Sequence, residues 1–261
     1  MPNLKRLYLC VLACTSSLVC GLALPSAAGA NREPALPRAE VVARNFADGA
    51  ALRIMPLGAS ITYGYGSSDG NGYREALRDR VAARGNAVNM VGTNHAGNMP
   101  DNDNEGWKSY TVAMVHGKAD ASVPGIRPNL VLVNVGTNDC LHGEDLLRAG
   151  DRVASLLSDI FTQSPRATVI LSTLVANRDP QVAERVTDFN AQLRTVSDTL
   201  RSAGQRLVLV DMQGPAGPTL DDLSSDGTHP NDVGYLKMAD VWFGGIEEAD
   251  RQHYLLTPEP V

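Results

Sequence analysis

Cysteine is scarce, and most of it sits where it cannot matter to a mature protein. The chain has four cysteines in 261 residues, and Cys10, Cys14 and Cys20 all lie in its first twenty. If that leader is removed, Cys140 alone remains, which excludes an internal disulfide and leaves stability to the core. A lone cysteine is most often a small buried hydrophobe, and the other reading is a free thiol. Positive charge is also short: 23 Lys and Arg stand against 29 Asp and Glu, a net charge of −6, with no basic run. That excludes a nucleic-acid partner. No Asn-x-Ser/Thr sequon occurs, so ordinary N-glycosylation is not expected. Beyond the leader no apolar stretch is long enough to span a bilayer. There is no internal repeat and no low-complexity tract.

What is present begins with that leader. Lys5 and Arg6 precede the apolar run LYLCVLACTSSLVCGLAL, and Ala28-Gly29-Ala30 forms a small-residue cleavage pattern. Residues 1–30 therefore read as a secretory signal peptide, which predicts a secreted, extracellular protein with no membrane partner after cleavage. The alternative, an N-terminal anchor, is opposed by Pro25 and the small residues that end the segment. Cleavage would take the net charge from −6 to −8, since the first thirty residues hold no acid. Residues 31–50 form a polar lead-in, 51–253 a single domain, and 254–261 a C-terminal tail. The oligomeric state is left open.

Within the domain, short Val/Ile/Leu-rich runs alternate with longer amphipathic segments. Strands are expected at 52–58, 87–93, 129–136, 167–174 and 206–212. Several lack alternating polar residues, as strands covered on both faces do. Helices are expected at 72–85, ending on Gly85; at 144–163, before Pro165; at 180–204, opening on Pro180 and closing on Gly204; and at 232–249. The fold class that follows is α/β, a three-layer α/β/α sandwich around a five-stranded parallel sheet.

Ligands of such sheets bind beyond the carboxyl ends of the strands, and useful groups collect there. Strand one runs into Gly58-Ala59-Ser60, strand two into Val91-Gly92-Thr93, and strand three into Gly136-Thr137-Asn138-Asp139. After strand five comes SSDGTHPND, with Asp226 and His229. Ser60 is a weak nucleophile until a base takes its proton. His229 is the base suited to neutral pH. Asp226, three residues earlier on a tight turn, can hold the imidazole's tautomer. The backbone N–H groups of Ser60 and Gly92 and the side-chain amide of Asn138 are then the expected oxyanion donors. Thr62 is expected to hydrogen-bond the turn, and Asp139, a rival acid, to be structural. No metal or cofactor is called for.

The blocks GASITYG, VGT, GTND and DGTHPN, in that order, resemble those of the SGNH (GDSL) hydrolases over roughly residues 52–250. The family's four lettered residues fall on Ser60, Gly92, Asn138 and His229, with Asp226 completing a triad. The resemblance implies the flavodoxin-like fold of that family and a serine esterase. One departure is Ala59, where the family usually has Asp; it touches the turn geometry, not the nucleophile. NGYREALRDRV, VNMVGT and DNDNEGW are similar to the carbohydrate esterase family 3 branch, acetyl xylan esterases. That similarity implies a short-acyl ester substrate, an O-acetylated plant polysaccharide such as xylan. Lipid or small-metabolite esters are the alternative, and an inactive carbohydrate-binding protein of the same fold is another.

Substrate-binding candidates are Trp107, Asp103, Glu105 and Tyr63. Tyr65, Tyr73 and Tyr110 lie in the same loops, where each could stack on a sugar or pack in the core. The run Asp101–Gly106 mimics the first half of a calcium loop, but Val112 stands where that loop needs Glu. It reads instead as a loop lining the cleft. His95, His116, His142 and His253 have no evident partners.

Overall fold

The computed structural model of the protein describes residues 44–260, so the leader and most of the lead-in lie outside the described residues. Five strands form where the apolar runs predict them: β1 (Leu52–Gly58), β2 (Val88–Met90), β5 (Leu130–Asn134), β6 (Thr168–Ser172) and β7 (Leu207–Val210). All pair in parallel, β2 and β5 on opposite edges of β1, then β6 and β7.

The sheet is larger than the five strands expected. Two short strands, β3 (Asn94–His95) and β4 (Asp103–Gly106), bring it to seven. β4 runs parallel to β1, with Leu57 opposite Glu105 and Gly58 opposite Gly106, and β3 pairs antiparallel with β4. The segment expected to line the cleft as a loop is thus a strand. β1 changes neighbour along one edge, from β2 at Leu52–Ile54 to β4 at Leu57–Gly58. Pro56, which has no N–H for a ladder, sits in that gap.

Alternation along the strands divides the core into two layers. Met55, Leu57, Val131, Val133, Val169 and Leu171 face α3 (Val112–Ile126), α5 (Ala149–Gln163) and α6 (Pro180–Ser202). Ile54, Leu132, Ile170, Val208 and Val210 face α2 (Arg74–Ala83) and α7 (Asp232–Arg251), where Trp242 is fully buried. Helix α3 is not among the expected helices, because Gly117, Pro124 and Gly125 interrupt its pattern. Helix α6 starts as predicted: Asp179 caps it by accepting the N–H groups of Gln181 and Val182, with Pro180 at its first position.

Both flanks of the domain fold onto it. Phe46, in the stretch assigned to the lead-in, is buried, with its N–H on Asn86 Oδ1 at 2.9 Å. The tail lies across the amino ends of the strands. Thr168 Oγ1 donates to the Tyr254 carbonyl at 2.6 Å, Asn129 Nδ2 donates to Leu256 O at 2.6 Å, and Arg53 reaches the Glu259 carbonyl.

Arg74 is the unusual member of the interior. It is fully buried, and its guanidinium donates to the carbonyls of Tyr63 (3.0 Å), Gly70 (2.9 Å), Ala96 (2.9 Å) and Asn102 (3.2 Å). Two connections at the carboxyl edge of the sheet, β1 to α2 and β3 to β4, are thereby tied to one cation.

Candidate active site

The short helix α1 (Ser60–Tyr63) begins directly after β1, with Ser60 at its first position. Its Oγ lies 2.8 Å from His229 Nε2, and His229 Nδ1 lies 2.7 Å from Asp226 Oδ2. Residues 169 apart in sequence are thereby joined. The segment carrying Asp226 and His229 is closed by the Ser224 N–H on the His229 carbonyl at 2.7 Å and by a bridge between Leu223 and Pro230. Asn231 then caps α7 through the Gly234 N–H at 3.0 Å.

Asp226 is built to stay ionised. Oδ1 accepts from Ser224 Oγ (2.8 Å), Thr228 N (2.9 Å) and His229 N (3.0 Å). Partial burial raises its pKa. The two backbone N–H groups, the imidazole and the Ser224 hydroxyl outweigh that and hold it well below the usual carboxylate range.

The three expected oxyanion donors share the same end of the sheet. Asn138 lies on α4 (Thr137–His142), four residues past Asn134, which is in register with Gly58. Gly92 follows β2 and packs on Asn104 of β4 so closely that a Cβ there would come within 2.1 Å of the Asn104 carbonyl. Only glycine fits that approach. Among the described residues, the N–H groups of Ser60 and Gly92 have no hydrogen-bond acceptor. Asn138 donates one amide N–H to the Tyr110 carbonyl at 2.8 Å, which fixes its side chain.

Other expectations divide. Asp139 is structural: buried, it accepts the Val112 N–H (3.0 Å) at the start of α3 and pairs with Arg152 (3.1 Å). Burial raises its pKa despite these partners. Thr62 does not hydrogen-bond the turn; its buried hydroxyl has no hydrogen-bond partner among the described residues. Cys140 is fully buried, and burial, with Asp139 nearby, pushes its thiol up to about 12. A thiol so placed is unreactive.

Of the four substrate-binding candidates, Trp107, Asp103 and Tyr63 are half-buried, and burial rules out Glu105 alone. Glu105 is 0% exposed and spends its carboxylate internally, accepting from Thr93 N (2.8 Å), Thr93 Oγ1 (3.0 Å) and Trp107 Nε1 (2.9 Å). It cannot touch a substrate. Trp107 stacks on Tyr110, with the Lys118 ammonium 3.8 Å from its ring centre. Lys108 lies over Tyr63, and Tyr73 is buried against Trp242. Asp103 pairs with His95 at 2.7 Å across β3 and β4. Tyr65, not among the chosen four, is the ring that meets His229, at 4.6 Å between centroids.

His95 and His116 thus both have partners that the sequence does not reveal. His116 Nε2 lies 2.8 Å from Asp159 and 3.7 Å from Asp120. These three offer ligand atoms within 4.8 Å of one another, the one such His/Cys/Asp/Glu group among the described residues, and closeness alone does not make it a cation site. They lie on α3 and α5, not on the loops around Ser60.

Comparison with known proteins places this geometry. The GDSL-like Lipase/Acylhydrolase family matches residues 57–237. A multidomain esterase of Ruminococcus flavefaciens is 27% identical over 229 residues, 75% of this chain and 28% of that protein, so the chain spans under a third of that relative's length. A Clostridium thermocellum family 3 carbohydrate esterase superposes with a TM-score of 0.69 at 25% identity, covering 78% of this chain and 99% of the other. A family 3 carbohydrate esterase from Talaromyces cellulolyticus superposes at 0.67 with 20% identity, covering 77% and 99%, and shares the fold.

Proposed function

Because the chain belongs to the GDSL-like lipase/acylhydrolase family, we propose that it is a secreted serine esterase that removes acetyl groups from a plant polysaccharide such as acetylated xylan. The observation that carries the reading is the continuous relay from Ser60 Oγ through both nitrogens of His229 to Asp226. The likeness to family 3 carbohydrate esterases supports a sugar ester over a lipid one.

Each group has one task in this reading. His229 Nε2 takes the Ser60 proton as Oγ attacks the ester carbonyl carbon. Asp226, held ionised, keeps the proton of the neutral imidazole on Nδ1 and stabilises the imidazolium that forms. The negative charge gathering on the carbonyl oxygen meets the N–H groups of Ser60 and Gly92 and the remaining amide N–H of Asn138. Aimed donors of this kind need no reorganisation as charge develops. His229 returns the proton to the departing alcohol, leaving an acetyl group on Ser60. Water, deprotonated by the same imidazole, attacks the acetyl carbon, and the imidazolium returns that proton to Ser60 Oγ as acetate leaves.

Acetate release from acetylated xylan by the purified protein, beside Ser60→Ala, tests the proposal. Release that disappears in the variant is the expected result. Release by both would overturn the serine mechanism. Turnover of lipid or small esters alone would overturn the polysaccharide substrate. No turnover of any ester would favour a binding protein.

A further inference from the structure

We infer that Tyr65 forms the wall of an alcohol-side subsite, taking the face of a sugar ring in the ester to be cleaved. The inference rests on the esterase reading above and names which part of the substrate that side of the site selects.

The reaction itself fixes the sides. The imidazole that takes the serine proton must give it to the leaving alcohol, so that alcohol sits against His229, while the acyl oxygen faces the amide donors. Whatever stands beside the imidazole and open to solvent therefore touches the alcohol half. Tyr65 meets both conditions: its ring lies 4.6 Å from the imidazole, tilted by 59°, and the residue is 50% exposed. The other aromatic rings of this edge are engaged, Tyr73 in the core, Trp107 with Tyr110 and Lys118, and Tyr63 under Lys108.

The ring is also carried on a fixed backbone. The Tyr65 N–H donates to the Ser60 carbonyl at 2.9 Å, and the Tyr65 carbonyl accepts from the buried hydroxyl of Tyr235 at 2.6 Å. Gly66 follows at φ +93°, where a Cβ would come within 3.0 Å of the Pro230 carbonyl and 3.1 Å of His229 Cβ. Glycine lets the loop lie directly against the histidine. A half-exposed ring on a hydrogen-bonded backbone offers a preorganised apolar face with a polar tip. The C–H face and rim hydroxyls of a pyranose match that pair.

The ring could instead serve only to buttress His229, and two esters separate the roles. Acetylated xylo-oligosaccharide and ethyl acetate share the acyl group, but ethanol is too small to reach across the ring. Tyr65→Ala should lower kcat/KM on the oligosaccharide by about tenfold, chiefly through KM, and change ethyl acetate turnover by less than about threefold. Tyr65→Phe should keep most of the oligosaccharide activity. An equal fall on both esters, carried by kcat, would overturn the subsite in favour of a buttress, and so would no change on either. Wild-type protein that turns over ethyl acetate but no sugar acetate would overturn the polysaccharide reading and the subsite together.

Discussion

The Glu105 carboxylate accepts the backbone N–H of Thr93 at 2.8 Å, one residue beyond Gly92. A fully buried acid thus fixes the turn that presents a proposed oxyanion donor, without reaching the substrate. Glu105→Ala would strand the Thr93 and Trp107 donors, costing roughly 1–3 kcal/mol of stability for each one left unpaired. It should also lower kcat by about tenfold or more while KM moves less, since the lost precision matters most as charge develops. Glu105→Gln should fall between, because its single amide oxygen can still accept. Steady-state kinetics with thermal melts check this; a change in KM alone would show that Glu105 does not act through Gly92.

Ser60→Ala should remove nearly all turnover, by several orders of magnitude, with little change in melting temperature. Asn138→Ala should cost on the order of a hundredfold in kcat, plus stability, because the Tyr110 carbonyl loses its donor. Asp226→Asn should harm activity far more than Asp139→Asn. Asp139→Asn should act chiefly on stability, since Asp139 is spent on Val112 and Arg152.

The loop that carries Asp226 and His229 is itself anchored by Asp222. That carboxylate accepts from Lys237 Nζ at 2.6 Å, from Thr219 N at 2.7 Å and from Thr219 Oγ1 at 2.8 Å, and these bonds lower its pKa to about 2. Asp226 is lowered as well. A carboxylate whose folded pKa is depressed adds stability that is complete above the unfolded value, about 4. That stability is lost as pH falls toward the folded value. Chemical denaturation between pH 6 and pH 2 should show stability declining below about pH 4, and Asp222→Asn should flatten the decline. An unchanged acid limb in that variant would place the titration elsewhere.

Arg74→Ala should be among the most damaging substitutions outside the relay, because it leaves four backbone carbonyls without their shared donor. Loss of about 3 kcal/mol or more is expected. Arg74→Lys should recover only part, since an ammonium has three donors and no fork. Equilibrium unfolding measures it; a loss under about 1 kcal/mol would mean that water replaces the guanidinium.

Much of this was legible because it obeys simple periods and punctuation. The five apolar strands, the Pro180 start of α6 and the order of Ser60, Gly92, Asn138, Asp226 and His229 follow from runs and strand ends. β3 and β4 did not, since their six residues are mostly polar and their burial depends on side-chain pairing such as Glu105 with Thr93. Helix α3 hid behind two glycines and Pro124, where packing on α5 and the sheet overrides propensity. Which aromatic ring reaches His229 also depends on contacts between residues far apart in the chain. The glycines around Tyr63–Gly66 hint at a tight turn but not at which face of it meets the imidazole.

The tail contacts have a practical consequence for handling the protein. Tyr254 and Leu256 are bonded at the amino ends of β6 and β5, whereas Ser60 stands past the carboxyl end of β1. Strands of this length set the two edges roughly 15–20 Å apart. A surface or a fused module attached behind residue 261 would pull on the face opposite the reaction, leaving the mouth beside Tyr65 open to a long polymer. The same attachment strains the bonds that close the bottom of the sheet, so a short rigid linker there would register first as lost stability, before any loss of turnover.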